Sequence, residues 1–395
     1  MGGGILEGIR ILDFTRVLSG PHATRILGDF GAEVIKVQSE RAPEGREGGD
    51  WAYFSNWNRN KRSITLNLNL PAARELALKL AVLCDAVIEN FSSRVMSNWR
   101  LGYGEISKVR KDIIMVSMSA MGRTGPWKDF VAFGPTIQSL SGLTYLTSYN
   151  KDTPVGPGYS YADTIAGLYC AFAFLAALEY RDKTGLGQFI DLSEYEASCT
   201  LLGPAILDTI VNQRDVEPSG NRSYHVSAAP QGCYQCMGDD KWCVIEVFEE
   251  AQWGDLLKVM GDPAWAMSNK FSTMQNRKLN EAELDRHMEE WTTQHTPEEI
   301  VQRLQEAGVP SGIVQDAGDL ARDPHLLARN YFKEIEDTVS GKTLTDRCPI
   351  KFMSGEQGPW RPAPLPGEDN RYVFGELLGL SEDAINSYIE KGVIF

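Results

Sequence analysis

The sequence predicts an α/β fold, with an open parallel sheet followed by a smaller α+β unit and a last stretch of different character. Three observations predict it. Short apolar runs suited to strands alternate with helical patterns through the first third of the chain, and strands separated by helices pair in parallel because a crossover must carry the chain back. Around residues 213–221 the composition turns polar, with Pro and Gly, as at a domain boundary. Beyond Asp323-Pro-His325 it changes again, through a Pro- and Gly-spaced stretch at 355–366, to a helical tail.

Taken in order, residues 9–13, 33–37, 86–89 and 113–118 read as strands, and 21–30, 71–83 and 105–110 as helices with Pro or polar residues near their starts. This is a Rossmann-like open sheet, in which ligands sit beyond the carboxyl ends of the strands. The first strand is followed by Phe14-Thr-Arg-Val-Leu-Ser-Gly-Pro21 and not by G-x-G-x-x-G, so a nicotinamide or flavin site loses its main support. Ser19 or Gly20 can cap the next helix with Pro21 in its first turn, and free N–H groups there can receive a phosphate or a carbonyl oxygen.

Further on, Gly158-Tyr-Ser-Tyr-Ala-Asp163-Thr-Ile-Ala-Gly167 runs into an apolar block ending at Leu178. Asp163 stands at the mouth of that helix. An N-cap carboxylate bonds a first-turn N–H, and the helix N-terminus favours its charge, so both capping and chemistry are open to it. The apolar run 165–178 is shorter than the roughly 20 residues of a membrane span and reads as a buried core helix. Lys183-Thr-Gly-Leu-Gly-Gln188 ends it in a glycine turn, 189–192 reads as a strand, and Ser193-Glu-Tyr-Glu196 has capping-box spacing.

In the smaller unit, 233–237 and 241–248 flank Gly238-Asp-Asp240 as a hairpin, 309–314 reads as a further strand, and 251–260, 281–294 and 297–306 read as helices. Thr296-Pro-Glu-Glu299 supplies an N-cap, a first-turn Pro and a capping-box Glu.

Composition excludes several classes. A chain of 395 residues, 43% hydrophobic and 23% charged, is globular and long enough for two domains. The net charge of −14 offers no basic field for nucleic acid, and no membrane partner is expected. Seven cysteines without a disulfide spacing, and an N-terminus without a signal-peptide pattern, point to the cytoplasm. Cys233-x-x-Cys236 lacks further ligands at zinc spacing, and the five histidines, His225 among them, form no pair at ligand or triad spacing, so no metal site is expected. Two polar groupings stay open. Asn58-Arg-Asn-Lys-Arg62 reads as a solvated turn, a phosphate contact or an ion-paired anchor, and Asn90-Phe91 follows a strand end where they can flank a nucleotide base.

Seven motifs in order carry a resemblance: Leu12-Asp-Phe-Thr-Arg-Val-Leu-Ser-Gly-Pro21, Gly31-Ala-Glu-Val-Ile-Lys-Val37, Asn58-Arg-Asn-Lys-Arg-Ser63, Glu89-Asn-Phe91, Gly122-Arg-Thr-Gly-Pro126, Tyr161-Ala-Asp163 with Ala166-Gly167, and Thr184-Gly-Leu-Gly-Gln188. From about Leu6 to the C-terminus, through Ala228-Ala-Pro-Gln-Gly232 and Gly367-Glu-Asp369, the chain resembles the class III (CaiB/BaiF, formyl-CoA transferase-like) CoA-transferases. The resemblance implies a large Rossmann-like domain formed by both chain ends (1–215 and 326–395), a small domain inserted at 216–325, and ring-like chains that interlock as a dimer.

It also implies a site. The family's catalytic aspartate falls on Asp163. Its CoA contacts carry over to Val17, Leu18, Asn90, Phe91, Ala120, Met121 and Gly122, with Arg94, Arg100 and Lys128 as further candidates. Where formyl-CoA transferase has an arginine after its N-F motif this chain has Asn98, and the tetraglycine loop has no counterpart, 221–232 being the nearest candidate for an active-site cover. No tightly bound cofactor is implied, acyl-CoA being a substrate. In the family mechanism the aspartate forms an acyl anhydride and then an aspartyl-CoA thioester; the expected donor is succinyl-CoA, and the acceptor a dicarboxylic or aryl-substituted acid such as benzylsuccinate. Related α-methylacyl-CoA racemases carry a His-Asp pair where this chain has Phe133-Gly134, and phenylalanine cannot shuttle a proton. Asp163 is therefore expected to act without a proton-transfer partner. A partner-dependent subunit of a hetero-oligomer is the other alternative.

Overall fold

Apolar residues on successive strands of the first third point alternately to two faces, and both faces are covered. The computed structural model describes residues 4–39, 44, 51–222, 228–353 and 357–395. It divides into two compact units, one of Met1–Thr144, Gly156–Asp215 and Leu327–Phe395, the other of Tyr145–Val155 and Val216–Leu326.

The first unit holds a six-stranded parallel sheet of β1 (Arg10–Asp13), β2 (Glu33–Gln38), β3 (Lys61–Thr65), β4 (Ala86–Glu89), β5 (Ile114–Ser119) and β6 (Gln188–Ser193), in the order β3-β2-β1-β4-β5-β6. The order reverses between β1 and β4, the switch point at which open α/β sheets bind ligands. Connecting segments supply α1 (Ser19–Asp29), α2 (Trp51–Asn58), α3 (Pro71–Leu83), α4 (Val95–Asn98), α5 (Tyr103–Val109), α6 (Gly134–Leu140), α7 (Leu143–Leu146) and α8 (Tyr161–Thr184); α9 (Glu194–Cys199) and α10 (Gly203–Asn212) follow β6. On one face Leu12, Ile35, Val87 and Met115 pack with α3, α5 and the C-terminal residues Val373, Phe374 and Ile385. On the other Ile11, Val34, Ile88 and Val116 pack with Leu27 of α1 and with Ala166, Cys170 and Phe174 of α8. These doubly covered strands are apolar on both faces.

Three expectations change here. Helix α8 is 24 residues long, by length and composition enough to span a membrane, and buries only one stripe; Leu168, Tyr169, Phe172 and Leu175 are exposed. It ends as expected at Gly185, whose φ of 74° is the left-handed cap glycine tolerates best. Secondly, Asn58 to Arg62 is not a solvated turn. Arg59 binds Asp29 and Asp346 at 2.7 Å each, Lys61 meets Asp13 at 3.2 Å, and Arg62 bridges Glu33 and Asp369 at 2.8 Å each. This is the ion-paired anchor, and Asp369 also accepts the Ser63 N–H, tying the 367–369 motif to β3. Thirdly, 332–346 forms an unforeseen hairpin of β10 (Phe332–Asp337) and β11 (Gly341–Asp346), which supplies Asp346 to Arg59 and Asp337 to the Trp51 indole.

The second unit carries an antiparallel sheet of β7 (Gln231–Gln235), β8 (Trp242–Glu246) and β9 (Ser311–Ile313), with α11 (Glu250–Met260), α12 (Met274–Leu279), α13 (Glu281–Thr292) and α14 (Pro297–Glu306). Its core includes Ile245, Trp253, Leu256, Leu284, Ile300 and Leu304. The Thr296 and Glu299 capping box forms as the sequence predicts.

Candidate active site

Three strand ends, β1, β4 and β5, deliver the loops that border a cavity of about 630 Å³ in the first unit, a size suited to a small-molecule site. Val17, Leu18 and Ser19 enter from β1, Asn90 and Phe91 from β4, and Ser119 to Met121 from β5. Phe133 and Gly134 at the start of α6, Asp163 at the start of α8 and Glu194 of α9 complete the lining.

Asp163 is not the N-cap. Ser160 holds that position, and Asp163 is the third residue of α8, its Oδ2 accepting the Ser160 hydroxyl. Helix α6 fixes this end of α8, because Gln138 Oε1 accepts the Tyr161 N–H at 2.7 Å. Glycine at 134 makes room: a Cβ built there would fall on Asp163 Oδ2 and Ser160 Oγ. Burial pushes the Asp163 carboxyl above its usual range, opposed by hydrogen bonds from Ser160 and Ser19. The helix N-terminus, worth about 0.3–1 kcal/mol, does not outweigh that burial.

Ser19 does not cap α1 either. The N-cap is Leu18, without a side-chain bond, and the Ser19 hydroxyl instead donates to Glu194 Oε1 at 2.8 Å. Asn90 Nδ2 donates to Ser19 Oγ at 3.1 Å and to the Arg16 carbonyl at 2.9 Å, while Asn90 Oδ1 accepts the Arg16 N–H at 2.8 Å. Glu194 is 5% exposed. Burial, the Asp163 charge beside it and only one hydroxyl donor push its carboxyl up to about 8. Asp163 therefore has a second titratable group in its cavity, against the expectation from Phe133 alone. Tyr53 lines the same cavity, and burial with the nearby Asp163 raises its phenol to about 12.

Of the predicted residues, Val17, Leu18, Asn90, Phe91, Ala120, Met121 and Lys128 line the cavity with Asp163. Arg94, Arg100 and Gly122 do not: Arg94 is exposed and pairs with Asp129 at 3.3 Å, Arg100 sits in a turn with φ 58°, and Gly122 has φ 78° and packs near Ser193. Val17 is left-handed, φ 66°, with its N–H on Glu44 Oε1 at 2.8 Å. Sequence reasoning missed Glu194, Ser160, Tyr53 and the role of Gly134. His225 and the middle of the suggested covering loop, 223–227, lie outside the described residues.

An open parallel α/β sheet with a carboxylate at its switch-point cavity and no dinucleotide loop defines a narrow class, and comparison with known proteins resolves it. The family model of CoA-transferase family III matches residues 6–370, and the chain belongs to that family. It is 32% identical to a succinyl-CoA–D-citramalate CoA-transferase of Chloroflexus aurantiacus, over 98% of each chain. It is 29% identical to the human succinyl-CoA:glutarate CoA-transferase, over 98% of this chain and 90% of that one. It also matches, at 30% identity, a probable CoA-transferase of Mycobacterium tuberculosis, of whose length it spans 51%. Among solved structures, a CaiB/BaiF family protein from Brucella suis superimposes with a TM-score of 0.87 at 28% identity, over 95% of this chain and 100% of that one.

Proposed function

We propose that this chain moves CoA from succinyl-CoA to a second carboxylic acid through covalent intermediates on Asp163. The observation that carries the reading is the Asp163 carboxyl in the first turn of α8, within a cavity bordered by Leu18, Asn90, Phe91, Ala120 and Met121. A carboxylate oxygen attacks the thioester carbonyl, the carbonyl electrons move to oxygen, and their return expels CoA as thiolate and leaves an aspartyl-acyl anhydride. The thiolate then attacks the aspartyl carbonyl, releasing the donor acid and giving an aspartyl-CoA thioester. The acceptor carboxylate reverses both steps. Covalent catalysis divides one difficult exchange into easier ones, and holding the thiolate beside the anhydride disfavours water.

A cavity of about 290 Å³ lined by Lys36, Leu66 and Trp99 shares Arg16 and Phe91 with the first, and an elongated thioester such as acyl-CoA suits two neighbouring compartments. A third, of about 670 Å³, shares Leu18 and Tyr53 and is walled by Trp57, Tyr159, Leu168 and Ile350. It supports a bulky acceptor, an aryl-substituted dicarboxylate such as benzylsuccinate. The relatives' names point the same way, citramalate and glutarate both being dicarboxylates.

The acting species is a dimer in this reading. Leu168, Phe172 and Leu175 of α8, and Leu207, Ile210 and Val211 of α10, are exposed apolar residues of the single chain that a second chain would cover. Relatives named as alpha and beta subunits of a succinyl-CoA–L-malate CoA-transferase, 29% and 30% identical, favour a hetero-oligomer as the second reading. Size exclusion of the chain expressed alone separates the two.

The decisive test incubates the protein with succinyl-CoA and hydroxylamine and maps the product by mass spectrometry. A hydroxamate at Asp163 is expected, and Asp163→Ala should lower transfer by about 10³-fold or more with the fold unchanged. Transfer that survives this substitution sinks the reading.

A further inference from the structure

The network behind Asp163 has a direction. The Arg16 N–H requires an acceptor, which sets Asn90 Oδ1 toward it and Nδ2 toward Ser19. Ser19 Oγ thus receives an N–H from Asn90 and has one proton for two neighbouring carboxyls, Asp163 and Glu194, the shorter path being to Glu194 Oε1 at 2.8 Å while the Ser19 N–H also serves Asp163. With the Ser19 proton on that bond, an acid proton on Glu194 resides on Oε2. No hydrogen bond of that oxygen is found among the described residues, and Glu194 lines the cavity beside Asp163.

We infer that Glu194 is a further catalytic residue, a neutral carboxylic acid whose Oε2–H donates a hydrogen bond to the acyl carbonyl oxygen that turns negative when Asp163 attacks. The inference rests on the covalent reading above. Atoms and electrons balance without proton transfer: the Asp163 oxygen bonds the carbonyl carbon, the π pair moves to the carbonyl oxygen under the Glu194 hydrogen bond, and its return breaks the C–S bond while the proton stays on Glu194. A donor already aimed where charge develops stabilises the transition state more than the ground state.

The surroundings suit a neutral acid. Around Glu194 stand Asp163 and the Cys170 thiol of α8, with Tyr195 and Glu196 next to it on α9; Asp191 of β6 accepts the Arg123 N–H instead, and residues 134–140 of α6 carry no titratable side chain. Arg16 and Lys128 line the same cavity, but burial, Asp163 and Ser19 set the Glu194 proton. Ionisation of Glu194 would remove the donor and place a second negative charge beside the nucleophile.

The test compares Glu194→Gln and Glu194→Ala with the unaltered protein in succinyl-CoA-dependent transfer across pH. Glutamine keeps an acceptor for Ser19 and a donor toward the cavity but does not titrate. The unaltered protein should lose kcat as pH rises through about 8, the value to which burial lifts Glu194. In Glu194→Gln that alkaline limb should vanish, with kcat lowered about tenfold and KM little changed; Glu194→Ala should lose about 10²-fold in kcat. An alkaline limb identical in the glutamine variant, or full kcat in the alanine variant, overturns the assignment. Infrared difference spectra of unaltered protein minus Glu194→Gln, taken without substrate, should show a protonated-carboxyl carbonyl band that disappears over the same pH range. Its absence at pH 7 also overturns the assignment. Because the band needs no turnover, failure of the covalent reading, with no hydroxamate at Asp163, is distinguishable from failure of this one.

Discussion

Asp13 and Glu194 are both buried carboxyls, 0% and 5% exposed, yet burial loses at the first and wins at the second. Asp13 receives the Thr15 N–H at 2.8 Å, the Thr15 and Thr24 hydroxyls at 2.6 and 2.7 Å, and the Lys61 ammonium at 3.2 Å. Burial raises it, but Lys61, Lys36 and those hydroxyls together hold it below the usual carboxylate range. Glu194 has one hydroxyl and a carboxylate for company, and goes up. Depth sets the size of the electrostatic problem, and the partners set its sign. The compensated acid fastens β1 to β3, while the uncompensated one keeps a proton next to the cavity where chemistry is proposed.

Removing compensation should turn the first case into the second. Lys61→Met leaves Asp13 buried without its hydrogen-bonded cation, only the more remote Lys36 remaining, and breaking a buried pair this way costs about 3–5 kcal/mol, to be read as a fall in thermal and denaturant midpoints. A loss below 1 kcal/mol would show that Lys36, Thr15 and Thr24 suffice. Crowding the site is the next largest change. Gly134→Ala drives a Cβ into Asp163 Oδ2 and Ser160 Oγ, and transfer should fall about 10²-fold with stability little altered, since displacement of a reacting group by about 1 Å has that effect.

His22 gives an effect confined to acid pH, and a third kind of burial. Its two ring nitrogens lack hydrogen-bond partners among the described residues, and burial with neighbouring Arg25 brings it from 6.5 to about 4. The folded chain then binds its proton less readily than the unfolded one. This contribution to stability is complete above the ordinary histidine range and is lost as pH falls through about 4, a change of up to about 3 kcal/mol. His22→Phe should flatten unfolding free energy over that window, and an unchanged slope would refute the assignment.

The sheet was legible because β1, β2, β4 and β5 carry apolar side chains toward both faces, a pattern that survives without tertiary information. The 58–62 cluster had an ion-paired anchor among its readings, but its acids, Asp29, Asp346 and Asp369, lie too far along the chain for local spacing to choose it. The run 165–178 of α8 reads as a buried core helix because hydrophobicity alone does not say which face meets a neighbour. Glu194 was hidden for a different reason. Ser193 does accept the Glu196 N–H at 3.2 Å, the N-cap half of the capping box that the spacing suggested, and that local role left nothing in Ser193-Glu-Tyr-Glu196 asking for a second explanation. The β10 and β11 hairpin is mostly polar, with Ile335 its one deeply buried apolar residue, and gives little alternation to read.

The close approach of Ser160 and Asp163 to Gly134 also bears on how this enzyme can change. Installing a His-Asp pair at 133 and 134 looks like a two-step mutational path from acyl transfer to α-proton chemistry. On this backbone the second step puts a side chain where Asp163 already lies, so a variant gaining the new acid first displaces the carboxyl on which the proposed transfer depends. The two activities are then separated by a valley in fitness, crossable only if α6 or α8 shifts beforehand, and selection for the second activity should recover backbone-moving substitutions in those helices before it recovers the pair itself.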